Sequence, residues 1–291
     1  MDVADPCALD GVLRRHGVRA AKSKGQHFLV DRGALAAIVA AAELGEPSEA
    51  GEHDVLEVGP GPGALTAALA DRARSVTAVE VDESLLAVLR DTLGARPNVK
   101  IVHADALAVD LFAVGDRAPT RIVANLPYQI TTPLLERFLA DPRRPPLVVV
   151  LVQEEVARRM VASEANERAP RERGFLSVFV QSFAEGRIVR RVPPRAFRPP
   201  PRVSSAIVAL RTRTTPAFAP LAQQPFLRFV SDVFRHRRKQ LRSALGHEAG
   251  VERERAERAL AAVGIDPRRR PEELSIGEWV ALGTALGVPR G

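Results

Sequence analysis

The sequence lacks the features by which secreted, membrane-spanning and metal-binding proteins are recognised. Its single cysteine, Cys7, excludes a disulfide within the chain, and no group of cysteine and histidine residues has the spacing of metal ligands. The N-terminal region has no apolar core, so it does not resemble a secretory signal. No run of about 18 or more apolar residues could span a bilayer. We therefore expect a cytoplasmic protein that binds no metal.

Positive charge is concentrated in the last quarter of the chain. The formal net charge is +7, and residues 211–291 hold 15 lysines and arginines against 9 aspartates and glutamates. Lysine and arginine side chains that neutralise phosphates release condensed counterions, so a basic module favours a polyanionic partner. The alternative is a soluble protein that is merely basic, but the uneven distribution argues for a basic module.

Short apolar segments predict strands that alternate with helices. The strands are expected at Asp54–Gly59, Ser75–Val81, Asn98–His103, Thr120–Asn125 and Leu147–Val152, and the helices between them at Ala64–Arg72, Glu83–Leu93 and Thr132–Leu139. Nearly continuous apolar strands are expected when helices cover both faces of a sheet, so we predict an α/β fold with a mostly parallel, Rossmann-like sheet. Two later strands, Arg187–Val192 and Ser204–Arg211, have no helix between them and should form an antiparallel edge.

Composition divides the chain into three parts. Residues 1–31 form a basic N-terminal segment, residues 32–211 the α/β domain, and residues 225–291 a small all-α domain. The first helix of the small domain is expected at Pro225–Leu245, with its apolar side chains on one face. Five cations fall on the opposite face, with no acid on that stripe: Arg228, Arg235, Arg238, Lys239 and Arg242. The last four are the candidates for phosphate contacts, although a solvated charged face explains them equally well.

Residues at three successive strand ends are suited to a nucleoside cofactor. The first strand runs into glycines, Val55-Leu-Glu-Val-Gly-Pro-Gly-Pro-Gly63, which let the backbone approach a ligand closely. The spacing does not fit the nicotinamide fingerprint. Glu80 ends the second strand, where an acid can bind ribose hydroxyls, and Asp105 follows the third, where an acid can bind an exocyclic amine. This order is typical of class I S-adenosylmethionine-dependent methyltransferases.

The fourth strand ends in Asn125-Leu-Pro-Tyr128, which suits methyl transfer to an exocyclic amine. Such a nitrogen is a poor nucleophile because its lone pair is delocalised into the ring. An asparagine oxygen and a backbone carbonyl can accept hydrogen bonds from the amine, and the proline stiffens the turn. The Tyr128 ring offers a stacking face to a base. A simple β-turn with a core tyrosine is less favoured, because this only tyrosine follows a ligand-binding strand end.

Seven motifs occur in a fixed order along the chain. They are Gly25-Gln-His-Phe-Leu-Val-Asp31, Glu57-Val-Gly-Pro-Gly61, Val79-Glu-Val-Asp82, Asp105-Ala106, Asn125-Leu-Pro-Tyr128, Val152-Gln-Glu-Glu-Val156 and Phe197-Arg-Pro-Pro-Pro-Arg-Val-Ser-Ser-Ala206. The set resembles the bacterial 16S ribosomal RNA adenine dimethyltransferase family from about residue 22 to the C-terminus. The resemblance implies dimethylation of N6 of two adjacent adenosines in the 3′-terminal hairpin of 16S ribosomal RNA, within the small ribosomal subunit. It also implies S-adenosylmethionine as the methyl donor and a role in subunit biogenesis.

The resemblance implies roles for individual residues. Cofactor contacts are expected from His27, Leu29, Gly59, Gly61, Glu80, Asp105 and Asn125. Glu80 should hold the ribose of the cofactor and Asp105 its adenine. Asn125 and the Leu126 carbonyl should hold the target N6. Tyr128 and Phe197 should sandwich the flipped target base, because chemistry on a base requires it to leave its stack.

The sequence also departs from the family pattern at one cofactor position and leaves alternative functions open. His27 replaces the usual asparagine, so a side-chain contact to the cofactor is not implied there. The alternatives are a 23S ribosomal RNA adenine dimethylase that confers macrolide resistance, a non-catalytic RNA-binding assembly factor and a DNA adenine methyltransferase. Leu126 argues against the first and third of these, since resistance enzymes more often have isoleucine and DNA enzymes proline at that position. The presence of Glu80, Asp105 and Asn125 argues against loss of catalysis. Nothing in the sequence demands more than a monomer.

Overall fold

The computed structural model describes residues 2–18, 26–45, 51–164, 172–247 and 251–291. Residues 19–25, which belong to the predicted basic N-terminal segment and include Gly25 of the first motif, lie outside the described residues. The chain forms two compact units, residues 1–157 with 187–212 and residues 158–186 with 213–291. Within the described ranges, no helix is long and apolar enough to cross a membrane. In the same ranges, no cluster of histidine, cysteine and acidic side chains could hold a metal ion.

The first unit is organised around a seven-stranded sheet. The strands of the chain are β1 (Phe28–Leu29), β2 (Asp54–Val58), β3 (Ser75–Glu80), β4 (Val99–His103), β5 (Arg121–Asn125), β6 (Leu147–Gln153), β7 (Ala184–Val192), β8 (Phe197–Arg198) and β9 (Ser205–Thr212). The order in the sheet is β4-β3-β2-β5-β6-β9-β7, and β1 pairs separately with β8. Neighbours from β4 to β6 are parallel, whereas β9 is antiparallel to β6. The predicted class of fold, with a mostly parallel sheet and an antiparallel edge, is confirmed.

Helices cover the sheet and explain its apolar strands. The helices that begin in the first unit are α1 (Pro6–Arg15), α2 (Arg32–Ala41), α3 (Ala64–Ala70), α4 (Glu83–Leu93), α5 (Thr131–Ala140) and α6 (Glu154–Val161). Ile38 of α2 and Leu69 of α3 share a core cluster with Val123 of β5 and Val149 of β6, and all four are fully buried. This packing leaves the carboxyl ends of β2, β3 and β5 at one edge, where open α/β sheets bind ligands.

Helix α1 was not predicted from the sequence. The Asp5 side chain caps it by accepting a hydrogen bond from the Ala8 amide at 2.8 Å, and Pro6 occupies the first helical turn. Leu9 and Val12 of α1 are buried in a cluster that also contains Val88 of α4. The N-terminal segment is polar and basic in composition, so its sequence did not predict this short amphipathic helix.

The second unit is helical. Its helices are α7 (Phe175–Phe183), α8 (Gln223–Phe234), α9 (Leu241–His247), α10 (Arg253–Ala262) and α11 (Ile276–Ala285). Residues 158–186 belong to this unit, whereas the sequence assigned them to the α/β domain. The physical reason is aromatic packing: Phe183 of α7 lies edge-on to Phe218 at 5.4 Å between ring centroids, and Phe218 stacks on Phe226 of α8 at 5.2 Å.

The single helix predicted at Pro225–Leu245 is wrong, because the helix ends at Phe234 and a new one begins at Leu241. Residues 235–239 carry four cations and a histidine in succession, and their mutual repulsion disfavours a continuous helix. The Leu241 amide donates instead to the Arg269 carbonyl at 2.8 Å, and the Arg242 amide to the Pro267 carbonyl at 3.2 Å. A distant segment of the chain therefore supplies the hydrogen bonds that a continuous helix would have made within itself.

Candidate active site

A cavity of about 440 Å³ lies at the carboxyl edge of the sheet in the first unit. It is formed by the turn after β2, the end of β3, the loop after β5 and residues 26–29 of the N-terminal region. Six of the predicted cofactor-binding residues line it: His27, Leu29, Gly59, Gly61, Glu80 and Asn125. Parallel strands bring residues that are far apart in the sequence to one edge of the sheet, as the motifs at successive strand ends predicted.

The glycine turn after β2 has a backbone that only glycine adopts easily. Gly59 and Gly61 have φ values of 70° and 56°, in the left-handed region that is disfavoured for residues with a Cβ. A Cβ on Gly61 would approach the Phe28 ring to 3.1 Å. The turn therefore lets its backbone line the cavity with no side chain at Gly59 or Gly61 between it and a ligand.

Two buried carboxyl groups, those of Glu57 and Glu80, line the cavity beside this turn. Glu80 accepts hydrogen bonds from the Asp82 amide at 2.9 Å and the Gly61 amide at 3.3 Å. Burial raises the pKa of Glu80, and these amides oppose the rise. Burial raises the pKa of Glu57 to about 8, and the neighbouring Glu80 carboxylate adds to this. One oxygen of Glu57, Oε2, is buried without a hydrogen-bond partner among the described residues, so it is left to accept a hydrogen bond from a ligand.

The end of β5 places Asn125 at the cavity wall. The Asn125 Nδ2 donates to the His27 carbonyl at 3.2 Å, which orients the amide. Its Oδ1 accepts no hydrogen bond from the described residues. Leu126 is buried, with its amide bonded to the Leu151 carbonyl of β6 at 3.1 Å. Thr131 donates its hydroxyl to the Pro127 carbonyl at 3.1 Å and so secures the turn that follows.

The Tyr128 ring is held at the cavity wall from two sides. Its hydroxyl lies 2.7 Å from the Ser205 Oγ at the start of β9. Its ring centroid lies 5.6 Å from that of His27, tilted by 32°. The His27 Nδ1 lies 2.8 Å from the Pro199 carbonyl, so this nitrogen carries a proton. Since that side-chain nitrogen is committed to protein, His27 faces the cofactor site through its backbone and ring edge.

Two predicted site residues do not line the cavity. Asp105 lies at the same sheet edge but is exposed, and its carboxyl accepts from the Leu107 amide at 2.8 Å. Phe197 is only 3 % exposed, because β8 pairs with β1 and turns the ring into the core beside Leu29. The ring that faces Tyr128 is therefore His27, and the predicted sandwich between Tyr128 and Phe197 is not the arrangement found.

Other residues line the cavity that were not among the predicted contacts. Gln26 donates its side-chain amide to the Asp82 carboxyl at 2.8 Å, and both line the cavity beside Glu80. Val3, which precedes α1, and Glu57 of β2 also line it. Gln26, Glu57 and Asp82 belong to motifs found in the sequence, although no contact was predicted for them. Glu57 had a second signal, since an acid inside a largely apolar strand is buried with that strand. Val3 reaches the cavity through tertiary packing alone.

The four predicted phosphate-binding cations are exposed in the second unit. Arg235 directly follows α8 and forms an ion pair with Asp232 at 3.8 Å, so the prediction that no acid lies on the basic stripe is wrong. Arg238 and Lys239 lie in the turns that follow, and Arg242 is the second residue of α9. The break after Phe234 replaces the single basic helix face with a basic turn.

The cavity fits S-adenosylmethionine. Its glycine turn accommodates a close ligand, Glu80 presents a carboxylate, and the orphaned Glu57 oxygen suits a cationic or hydrogen-bond-donating group. A cation bound there would favour the ionised form of Glu57. The fold and this site define a class I S-adenosylmethionine-dependent methyltransferase.

Comparisons with known proteins identify the family. The sequence model described as ribosomal RNA adenine dimethylase matches residues 17–285, so the chain belongs to the ribosomal RNA adenine dimethylase family. Its activity is therefore the transfer of methyl groups from S-adenosylmethionine to adenine of ribosomal RNA. It is 40% identical to the Ribosomal RNA small subunit methyltransferase A of Geobacillus thermodenitrificans, over 98% of this chain and 97% of the relative. The protein of that name from Moorella thermoacetica is 41% identical, over 98% of each chain.

Solved structures agree with this fold. The crystal structure of the 23S rRNA methyltransferase ErmE matches with a TM-score of 0.66 and 31% identity, covering 89% of this chain and 99% of that one. A dimethyladenosine transferase from Plasmodium falciparum matches with a TM-score of 0.75 over 90% of this chain and 99% of that one. Since the latter is 21% identical, its likeness shows the fold alone.

Proposed function

We propose that this enzyme dimethylates N6 of two adjacent adenosines in the 3′-terminal hairpin of 16S ribosomal RNA, in the small ribosomal subunit, and thereby takes part in subunit biogenesis. The observation that carries the choice of RNA is full-length similarity, near 40% identity, to relatives named for the small subunit. The observation that carries the chemistry is the Asn125 oxygen at the cavity wall beside the only tyrosine of the chain.

The residues that line the cavity divide between the cofactor and the base. Glu80 binds the ribose hydroxyls, and the turn at Gly59 and Gly61 lies against the methionine part. The backbone of His27 and Leu29 closes over the cofactor. The bound cofactor supplies an electrophilic methyl group on a sulfonium ion. The protein contributes to the rate by positioning the target amine, because proximity and orientation account for much of the acceleration in such a transfer.

The Asn125 loop prepares the amine for attack. The Asn125 Oδ1 and the Leu126 carbonyl accept hydrogen bonds from the two N6 hydrogens, which favours a tetrahedral nitrogen with its lone pair free. A nitrogen held in this way would be placed to accept the methyl group that the cofactor supplies, and the displaced amine proton would leave to solvent. After the first transfer the nitrogen carries only one hydrogen, so the second transfer requires one hydrogen-bond acceptor fewer. Tyr128 holds the flipped base by stacking, worth about 1–3 kcal/mol per base.

RNA outside the cavity is bound by exposed cations of the second unit. Arg238, Lys239 and Arg242 form no ion pair with the described residues, so they are available to phosphates. We expect the enzyme to act as a monomer in the cytoplasm.

A 23S ribosomal RNA dimethylase is the second candidate. The observation in its favour is the 31% identity to ErmE over 99% of that chain. The relatives named for the small subunit are more similar and are covered equally fully, which ranks the small subunit first. A solely non-catalytic assembly factor is disfavoured because the glycine turn, Glu80 and Asn125 are assembled at one cavity.

The test supplies purified enzyme with labelled S-adenosylmethionine and immature small subunits that lack the two dimethyladenosines, with large subunits in parallel. Mass spectrometry should find two methyl groups on each of two adjacent adenosines of the small-subunit RNA. The Asn125→Ala variant should lose about a hundredfold or more in kcat, as when one hydrogen-bonding group is removed from an active site. The far-ultraviolet circular dichroism spectrum of the variant, compared with that of the wild type, serves as the control for folding.

Label confined to large subunits would overturn the choice of RNA and favour the second candidate. Cofactor binding without transfer to either subunit would refute the catalytic role. An Asn125→Ala variant with normal kcat would leave the family activity intact and refute the proposed role of the loop.

A further inference from the structure

A long stretch without acids runs past the cavity in the first unit. No aspartate or glutamate occurs between Glu185 and Asp232, whereas six arginines occur between residues 187 and 202. All six are exposed: Arg187, Arg190, Arg191, Arg195, Arg198 and Arg202. The cations already proposed to bind RNA lie in the other unit, so the site as described leaves this second concentration of charge unexplained.

Partners within the protein account for half of these arginines. Arg190 donates to the Gly33 carbonyl at 2.8 Å. Arg191 pairs with Glu154 at 3.2 Å, and Arg198 donates through its Nε to Asp10 at 2.8 Å. The side chains of Arg195 and Arg202 form no hydrogen bond or ion pair with the described residues. Both lie in one segment, residues 193–204, which we call the arginine loop.

Three contacts place the arginine loop beside the cavity. The Ala196 carbonyl accepts from the Val30 amide at 2.8 Å. The Pro199 carbonyl accepts from the His27 ring at 2.8 Å, and Ser205, directly after the loop, holds the Tyr128 hydroxyl at 2.7 Å. The loop therefore borders the side of the cavity where His27 and Tyr128 present their rings.

The loop is also built to hold side chains outward on a stiff backbone. Prolines at 199, 200 and 201 fix φ directly before Arg202. Val203, next to it, is 47 % exposed and is one of two markedly exposed large apolar side chains among the described residues. An apolar group beside a cation suits a nucleic-acid strand, which presents sugar and base surface between its phosphates.

We propose that Arg195 and Arg202 bind the phosphates that flank the target adenosine, so that the arginine loop guides the RNA strand to the mouth of the cavity. The inference rests on the proposed function, since it takes RNA as the substrate. A base that is flipped out of its stack needs its backbone held on either side. The guanidinium fork matches phosphate oxygens bidentately, and the stiff loop lowers the entropy lost on binding.

The test compares RNA binding by the full chain with that of a double variant, Arg195→Gln with Arg202→Gln. The probe is a fluorescently labelled RNA hairpin with two adjacent unmodified adenosines in its loop, titrated by anisotropy over a series of salt concentrations. Each single-strand phosphate contact contributes about 0.7 to the slope of log affinity against log salt, so the loss of two contacts lowers the slope by about 1.4. For equal affinities at about 1 M salt, this difference corresponds to roughly 25-fold weaker binding at about 0.1 M salt. The matched control is Arg117→Gln. Arg117 is an exposed arginine that precedes β5, and so lies toward the sheet edge opposite the cavity.

The expected result is a reduced slope and a raised KM for RNA in the double variant, with wild-type affinity for S-adenosylmethionine. The control should bind RNA within about twofold of wild type. An unchanged slope in the double variant, or an equal loss in the control, would overturn the inference. If the wild type methylates small-subunit RNA while the double variant keeps its slope, the arginine loop alone is refuted. If the slope falls as expected but the wild type transfers no methyl group to small-subunit RNA, the proposed function fails and the loop stands.

Discussion

Replacing Glu57 by glutamine should make the stability of the cofactor-free protein less sensitive to pH. The Glu57 carboxyl is buried in β2, and burial raises its pKa from 4.5 to about 8. Between these two values the carboxyl is ionised in the unfolded chain and protonated in the folded one. The folded state then binds more protons, so stability falls as pH rises. The contribution is complete below the unfolded pKa and is lost as pH rises through the folded pKa.

The size of the effect follows from the shift. Each pKa unit corresponds to about 1.4 kcal/mol, so a rise from 4.5 to about 8 amounts to on the order of 5 kcal/mol. The free energy of unfolding of the wild type should fall by up to this amount, relative to Glu57→Gln, between about pH 5 and about pH 9. Other titrating groups are common to both proteins and cancel in the difference.

The assay is urea unfolding followed by far-ultraviolet circular dichroism for both proteins at the two pH values. Glu52→Gln, which replaces an exposed glutamate just before β2, is the control for removing a carboxyl without altering the buried site. A difference between Glu57→Gln and wild type that is the same at both pH values would refute the reasoning. So would a difference of opposite sign, since the carboxyl would then be ionised and stabilised in the folded protein.

Two further predictions concern the cavity. Gly61→Ala should weaken S-adenosylmethionine binding about tenfold or more, because a Cβ at this positive φ would lie 3.1 Å from the Phe28 ring; calorimetry that finds wild-type affinity would contradict the close approach assigned to the turn. Ser205→Ala should lower kcat several-fold, with cofactor affinity unchanged, because the Tyr128 hydroxyl loses the partner at 2.7 Å that holds its ring. Tyr128→Phe added to Ser205→Ala should restore much of the loss, since removing both partners leaves no unpaired group. If the double variant is as slow as Ser205→Ala, Ser205 does not act through the tyrosine.

Much of the fold could be predicted because local patterns determine it. The strands β2, β3, β5 and β6 have mainly apolar, buried interiors, and this pattern occurs when both sheet faces are covered. Glycines and acids directly after strand ends then have to meet at one edge. For this reason Gly59, Glu80 and Asn125 were placed correctly at the cavity from sequence, and the class of cofactor is confirmed. Their separation along the chain did not matter, since parallel strands align their ends.

Other site features depend on contacts that no local pattern encodes. Phe197 has an aromatic ring that could stack on a base, but the pairing of β8 with β1 turns this ring into the core. His27 reaches Tyr128 only because the Pro199 carbonyl holds its ring. Asp105 follows the right strand, yet its carboxyl is turned to the Leu107 amide.

By itself, the sequence determined the order of strands and helices, the glycine turn, the acid at the end of β3 and the Asn125 loop. Each of these features is set by a short run of neighbouring residues, whose side chains determine the conformation of the backbone that carries them. The tertiary structure decided where α9 begins, since the Arg269 and Pro267 carbonyls accept hydrogen bonds from the amides of Leu241 and Arg242. It also decided the position of the arginine loop beside the cavity. These depend on segments far apart in the chain, whose approach is set by packing rather than by neighbouring residues.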